Sequence, residues 1–413
     1  MMPDAFNTSP NGHVPRSADV VVIGGGVNGA STAFQLAKRG VRNVVLLEQG
    51  ELGAGATGKS GALVRAHYTN PPETCLTLES MRIFRNWDDE VGYGSPRFVA
   101  TGFLQVVNPD DEENLRTNVE MQRSLGAKTS VVTPEELREI EPLMRTDDIT
   151  VAAFEPDSGF ADPNATVYGF AGAAERLGAQ ICTSTQARVI LTSNGRVEGV
   201  ETNSGRIATE HVLLAGGAWA NDLLGPLGVD LGLVPRRIQV AVFRWPAQID
   251  QNRRHRVVID TTRRSWFRPE GAVSTLIGVE RGGRTADPDS YDETASPDFV
   301  EMAREALAAR FPAFANATMR GNWAGMIMQS PDHRPVIDQI PSVTGLFIMA
   351  GDSGTSFKTS PAIGVCLAEW ITEGAPKLLD LTPFRSTRFA EGQPWSDEHA
   401  YQYNVGEVLT ISR

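Results

Sequence analysis

Cysteine is scarce in this chain, with three in 413 residues: Cys75, Cys182 and Cys366, none in a CxxC pair. Three thiols cannot build a disulfide framework and offer no metal-ligand spacing, so buried free thiols and no metal site are expected. Excess positive charge is lacking too. Thirty-eight Lys and Arg against 50 Asp and Glu leave a net charge of −12, which argues against nucleic acid or an anionic membrane as partner. A local arginine can still override that mean field for a small acidic ligand. No apolar run reaches the length of a membrane span. The Pro/Asn/Ser-rich start of the chain has no apolar core of the secretory type, so a cytoplasmic setting is the default expectation. Internal repeats and low-complexity blocks are absent as well. What remains, 41% apolar and 21% charged residues, is ordinary globular composition, long enough for two domains.

The first strongly patterned stretch is Asp19-Val-Val-Val-Ile23, a short β-branched run that reads as a buried strand of a parallel sheet. Ala30 to Arg39 follows with apolar residues at helical spacing and stops at Gly40. Val44-Val-Leu-Leu47 is a second buried strand, ending at Glu48. Strand, turn, helix and strand form a βαβ unit. Its turn, Gly24-Gly25-Gly26-Val27-Asn28-Gly29, fits G-x-G-x-x-G in the context that motif requires. The helix start presents free N–H groups and a positive dipole end to a pyrophosphate, and Glu48 stands where a carboxylate binds ribose hydroxyls and repels a 2′-phosphate. These residues indicate a dinucleotide without choosing between FAD and NAD.

Further along, 85–150 is charged and helical, with a strand at Gly102–Val107 and a helix from Glu135 to Glu141 started by Thr133-Pro134. Parallel-sheet texture returns from Ala187, where Asn194-Gly195 and Ser204-Gly205 mark hairpin turns, and Val212-Leu-Leu-Ala215 runs into Gly216-Gly217. A second irregular region holds strands at Ile238–Phe243 and Ser274–Gly278 and a helix over 298–310. Last come a buried strand, Leu346–Ala350, a glycine turn from Gly351 to Gly354, and a helix through Pro361 to Trp370.

Four blocks in this order resemble the D-amino-acid oxidase/sarcosine oxidase family: Gly53 to Arg65 after the βαβ unit, Val212 to Trp219, Pro331-Asp-His-Arg-Pro-Val-Ile337, and Gly351 to Lys358 with Ser360-Pro-Ala-Ile-Gly364. The resemblance turns the dinucleotide into FAD. It implies an α/β fold: a noncontiguous Rossmann-like FAD-binding domain of glutathione-reductase type (17–88, 151–224 and 321–390), with a threaded α+β substrate domain on a mixed or antiparallel sheet (89–150 and 225–320). A flexible tail at 1–16 and a C-terminal extension at 391–413 complete the expected division. Cofactor contacts are implied for Gly24, Gly26, Val27, Asn28, Gly29, Glu48 and Gln49; for Ala56, Thr57, Ser60, Gly61 and Ala62; for Val189, Ala215, Gly216, Gly217 and Trp219; and for Gly351, Ser353, Gly354, Thr355, Phe357 and Lys358.

The same resemblance implies oxidation of the C–N bond of a simple or N-substituted (secondary) amino acid. Hydride passes to flavin N5, and the resulting imine hydrolyses. The electrons then go to O2 or another acceptor, with heteromeric partner subunits an option. Arg65, in Leu63-Val-Arg-Ala-His-Tyr68, matches the arginine that grips the substrate carboxylate, a task suited to a planar guanidinium. Lys358 matches a lysine at the flavin and that carboxylate. His67, Tyr68 and Arg268 are further pocket candidates; Met326 and Met328 suit an apolar wall or the core, and His333 suits a structural turn. Two departures stand out. The cysteine that attaches FAD in monomeric sarcosine oxidases has no counterpart in Ala324–Gln329, and the histidine used by dimethylglycine dehydrogenase-like relatives is replaced by Lys59, so noncovalent FAD is expected. The strand Val273–Gly278 also lacks the lysine that promotes O2 reduction. Alternatives are a 2-hydroxy acid dehydrogenase, in which His67 would serve as base, and a flavin-carrying β-type subunit of a heteromeric amine oxidase or dehydrogenase.

Overall fold

The computed structural model describes residues 14–402 apart from 248, 250–253 and 281–282. β1 (Val20–Ile23) and β2 (Val44–Leu47) are buried along their whole length, because the sheet they share is covered on both faces. Val20 and Val22 face one core with α1 (Val27–Lys38) and the helices Pro163–Arg176 and Ser360–Glu373. Val21 and Ile23 face another, with Ile190, Val200 and Ile207. Two-sided burial is why these strands read as continuous apolar runs.

The six-stranded sheet has the order Val336–Gln339, Leu346–Ala350, Val212–Leu214, β1, β2, Gln180–Cys182. Its pairings are parallel except for the antiparallel edge strand Val336–Gln339. The parallel texture expected from Ala187 is corrected here. Strands Ala187–Ser193, Arg196–Thr202 and Gly205–Ala208 form their own antiparallel sheet, since the two-residue turn at Asn194 and Gly195, both at positive φ, joins only antiparallel neighbours.

Leu63–Val64 and Gly159–Phe160 make a two-stranded sheet, and a nine-stranded sheet has the order Arg284–Thr285, Val234–Arg244, Ser274–Val279, Ser265–Glu270, Val257–Asp260, Phe103–Val106, Ala152–Glu155 and Ser130–Val132, with Met319–Gln329 also paired to Val234–Arg244. Only the Phe103–Val106 and Val257–Asp260 pair is parallel, so the sheet is mixed. Helix Pro297–Arg310 covers it through Phe299, Ala303 and Leu307, and the buried Arg310 Nε reaches the buried Asp260 carboxylate at 2.5 Å. Ala152–Glu155 and most of Met319–Gln329 fall inside segments expected in the cofactor domain, yet their ladder bonds lie in this second sheet. The helix begun at Thr133 spans Pro134–Ile140, with a full capping box between Thr133 and Glu136.

The chain ends are tied down where they are described. Val14 packs on the second core and the Arg16 carbonyl accepts from Ala208 N at 2.9 Å; residues 1–13 of the expected tail and 403–413 of the extension lie outside the described residues. Cys182 and Cys366 are buried thiols, whereas Cys75 is half-buried on helix Pro71–Arg85. Among the described residues no helix is long and apolar enough to cross a membrane.

Candidate functional site

The turn between β1 and α1 is held from both sides. Gly24 sits at φ +109, where a Cβ would come within 2.3 Å of the Ala215 carbonyl oxygen, and a Cβ on Gly29 would lie 2.0 Å from Gly24 O. Only glycine permits these approaches. Gly25 N donates to Glu48 Oε2 at 2.7 Å and Gly50 N to Oε1 at 2.8 Å. Burial pushes the Glu48 carboxyl above its ordinary range, against the pull of those backbone donors. Val27 N donates to Thr57 Oγ1 at 3.1 Å, which fastens the helix start to the following loop.

This turn opens onto a cavity of about 590 Å³ between the two large sheets. Gly24, Gly26, Val27, Asn28, Glu48, Gln49, Ala56, Thr57, Ser60, Gly61, Ala62, Ala215, Gly216, Gly217, Trp219, Gly351, Gly354, Thr355, Phe357, Lys358 and Arg65 all line it, as do Met326 and Met328. Several features suit a dinucleotide. The α1 N-cap, Gly26, offers no side-chain cap, which leaves that helix end to a ligand. Asn28 Nδ2 is engaged with Ser356 Oγ at 3.0 Å, while its Oδ1 is buried without a partner, and Glu48 stands at the end of β2. These residues fit FAD.

At one end of the cavity lie two buried cations. Arg65 and Lys358 are 2% and 6% exposed; both sit against the Tyr68 ring, the guanidinium carbon 4.9 Å and Lys358 Nζ 4.8 Å from its centroid. Lys358 Nζ donates to the Thr355 carbonyl at 2.9 Å, which also accepts from Tyr68 Oη at 3.2 Å. Burial first, and then the Arg65 charge, hold Lys358 well below the usual lysine range, against Glu73 and Asp352. A desolvated pair of like charges is a strong anion site.

Several predicted residues do not reach the cavity. Gly29 lies beneath the turn. Ser353 is buried behind it, accepting from Ser330 N and donating to Gly351 O, both at 3.2 Å. Val189 is 39% exposed on the outer face of its strand, while its neighbours Ala187 and Arg188 do line the cavity. Arg268 supports the wall: Nε donates to Gly61 O at 2.5 Å, Nη1 pairs with Glu270 at 2.6 Å, and the guanidinium stacks on Phe160. Tyr68 lies behind Arg65 and Lys358. His67 is fully buried and shares a 2.6 Å hydrogen bond with Tyr401 Oη; burial and Arg65 depress its pKa well below the usual value. His333, at φ +60, closes a turn onto Ser330 O.

Sequence reasoning missed Thr185 and Gln186, from the nine-stranded sheet Gln239 and Trp266, and the loop residues Glu280, Tyr291 and Glu293. Lys59 also lines the cavity, its Nζ 2.7 Å from both Tyr291 Oη and Glu293 Oε2. No local motif marks these positions: sheet pairing decides which side chains of the strands face inward, and the fold alone brings the loop residues to the wall.

Residues 19–370 match the model of a family described as FAD dependent oxidoreductase. The chain is similar to the sarcosine oxidase subunit beta of Rhodobacter capsulatus, 25% identical over 381 residues that cover 91% of this chain and 89% of the relative. Among solved structures it resembles the L-proline dehydrogenase of P. horikoshii, with 29% identity, a TM-score of 0.85 and coverage of 92% of this chain and 100% of the other. The glycine oxidase of Geobacillus kaustophilus gives 25% identity, a TM-score of 0.78 and coverage of 91% and 99%.

Proposed function

Since the chain belongs to the FAD-dependent oxidoreductase family, we propose that it binds FAD noncovalently and oxidises the C–N bond of a small N-substituted or simple amino acid. The observation that carries this reading is the buried Arg65–Lys358 pair on a cavity whose other wall is the dinucleotide turn. When bound, FAD supplies the two-electron acceptor for hydride leaving the carbon beside nitrogen. Arg65 and Lys358 grip the substrate carboxylate and fix that carbon's position. Their positive field also lowers the pKa of a nearby substrate ammonium, so the amine reacts uncharged. Met326, Met328 and Trp266 keep water from the reacting end. Lys59, engaged with Tyr291 and Glu293, and the cysteine-free strand Met319–Gln329 support noncovalent attachment.

The alternative chemistry, oxidation of a 2-hydroxy acid, needs a base at the cavity, and His67 is turned away from it. A role as the flavin-carrying subunit of a larger complex draws support from the subunit beta relative. Strand Ser274–Val279 brings Gly278 and Val279 to the cavity and no lysine, so slow reoxidation by air is expected. The test is anaerobic reduction of the FAD-loaded chain with a panel of D-, L- and N-substituted amino acids, followed by admission of air. Bleaching by at least one amine supports the reading. A flavin reduced by hydroxy acids and by no amine sinks it, and a flavin reduced by neither points to the subunit role.

A further inference from the structure

Arg65 follows a two-residue strand, Leu63–Val64, and leads an irregular stretch up to helix Pro71–Arg85. Such backbone has few ladder bonds to fix a side chain, so its geometry comes from other elements. Ala66 N donates to Glu155 Oε2 at 2.9 Å, and Gln122 Nε2 donates to the Tyr68 carbonyl at 2.8 Å. Two further ties come from one stretch, 391–402: Thr69 Oγ1 donates to Asp397, and His67 meets Tyr401.

That stretch is itself anchored at both ends. Trp395 N donates to Asp332 Oδ2 at 2.8 Å and Asp397 pairs with Arg334. Asn118 Nδ2 donates to the His399 carbonyl at 2.9 Å, and Gln402 N donates to the Asp111 carboxylate at 2.9 and 3.0 Å. From Tyr401 a chain of contacts leads to the cation. The Tyr401 and His67 rings stack at 5.8 Å and 19°, His67 packs on Phe103 at 6.2 Å, and the Arg65 guanidinium lies 5.6 Å over the Phe103 ring. Neither Tyr401 nor Asp397 touches the cavity.

We infer that the strap 391–402 positions Arg65, and that Tyr401, acting through His67 and Phe103, sets the angle at which the guanidinium meets a carboxylate. The inference rests on the proposed role of Arg65. Without the hydroxyl, the buried His67 Nε2 loses its partner and the imidazole shifts, which loosens the Phe103 ring under Arg65. A misaligned guanidinium loses one arm of a two-armed contact, which lowers carboxylate affinity and leaves the distant dinucleotide turn untouched.

Tyr401→Phe in the full, FAD-loaded chain tests this, since it keeps the stacked ring and removes one oxygen. The probe is acetate, titrated against the flavin absorbance spectrum. Expected are a five- to tenfold weaker acetate Kd, a matching rise in KM for a reducing amino acid, and a limiting flavin-reduction rate within twofold of wild type. FAD affinity stays unchanged, and Tm falls by a few degrees at most, because one buried hydrogen bond is lost. Thr69→Val, which breaks the second tie and leaves Asp397 paired with Arg334, is expected to weaken acetate in the same way and serves should Tyr401→Phe fail to fold. Acetate binding at wild-type strength in both variants overturns the inference, and so does a loss of FAD affinity in step with acetate, which marks a merely structural strap. Arg65→Met separates the two readings. If it leaves wild-type acetate binding intact, the carboxylate role of Arg65 fails and takes the strap with it; if it abolishes binding while Tyr401→Phe does not alter it, the strap alone fails.

Discussion

Replacing Lys358 by methionine separates what this side chain does for folding from what it does for binding. Its ammonium is 6% exposed and has one hydrogen bond, to the Thr355 carbonyl, plus the face of Tyr68. Those contacts contribute about 1 kcal/mol each, less than the several kcal/mol that burying an ammonium costs. Burial and the neighbouring Arg65 therefore hold its pKa well down. Methionine fills similar volume without the charge, so Lys358→Met is expected to raise stability by about 1–3 kcal/mol. The sign of the pH dependence follows. The unfolded chain keeps its lysine proton up to about pH 10.4 while the folded chain gives it up earlier, so wild-type stability rises with pH across that window. The advantage of the variant is then greatest at low pH and shrinks as pH rises. Binding moves the opposite way. One charge-assisted bond of about 1.5–3 kcal/mol is lost, which is about 10- to 150-fold in carboxylate affinity. Denaturant unfolding at two pH values gives the first quantity, and substrate KM with inhibitor Kd gives the second. A variant that is less stable at every pH and binds within threefold of wild type refutes the reasoning and makes Lys358 a structural residue.

Gly29→Ala places a Cβ 2.0 Å from the Gly24 carbonyl oxygen; the protein is expected to emerge colourless or misfolded, and a yellow, folded product of normal Tm contradicts the closeness of that turn. His255, buried between Thr275 and the Arg256 carbonyl, has its pKa pushed down to about 4 by burial. Its folded-state value lies below the unfolded one, so stability is complete above about pH 6.5 and falls as the pH drops towards 4, by about 2 kcal/mol at pH 5. His255→Gln is expected to flatten that acid slope in urea titrations at pH 7 and pH 5, and an unchanged slope tells against the assignment.

Much of this was readable along the chain, for a physical reason. β1, the glycine turn, α1 and β2 occupy 28 consecutive residues between Val20 and Leu47, and each signal for them is local: continuous apolar runs, a glycine turn at positive φ, a helix end and a carboxylate at a strand end. The same holds for the capping box at Thr133 and Glu136 and the turn at Asn194-Gly195. Arg65 and Lys358 were also legible, through motifs that flank them. Their neighbours were not. Nothing in the sequence distinguishes His67, which turns inward to Tyr401, from Arg65 two residues earlier, which faces the cavity, because the choice is made by Phe103, Glu155 and the strap at 391–402. Nor could Gln239 and Trp266 be selected among the residues of their strands before the pairing of the nine-stranded sheet was known. The sequence by itself determined the strand, glycine turn, helix and second strand that we propose hold a dinucleotide, since that unit is contiguous. Only the tertiary structure decided which cations line the cavity and what holds them there, since those contacts join residues up to 334 positions apart, and a side chain's direction is set by the elements packed behind it.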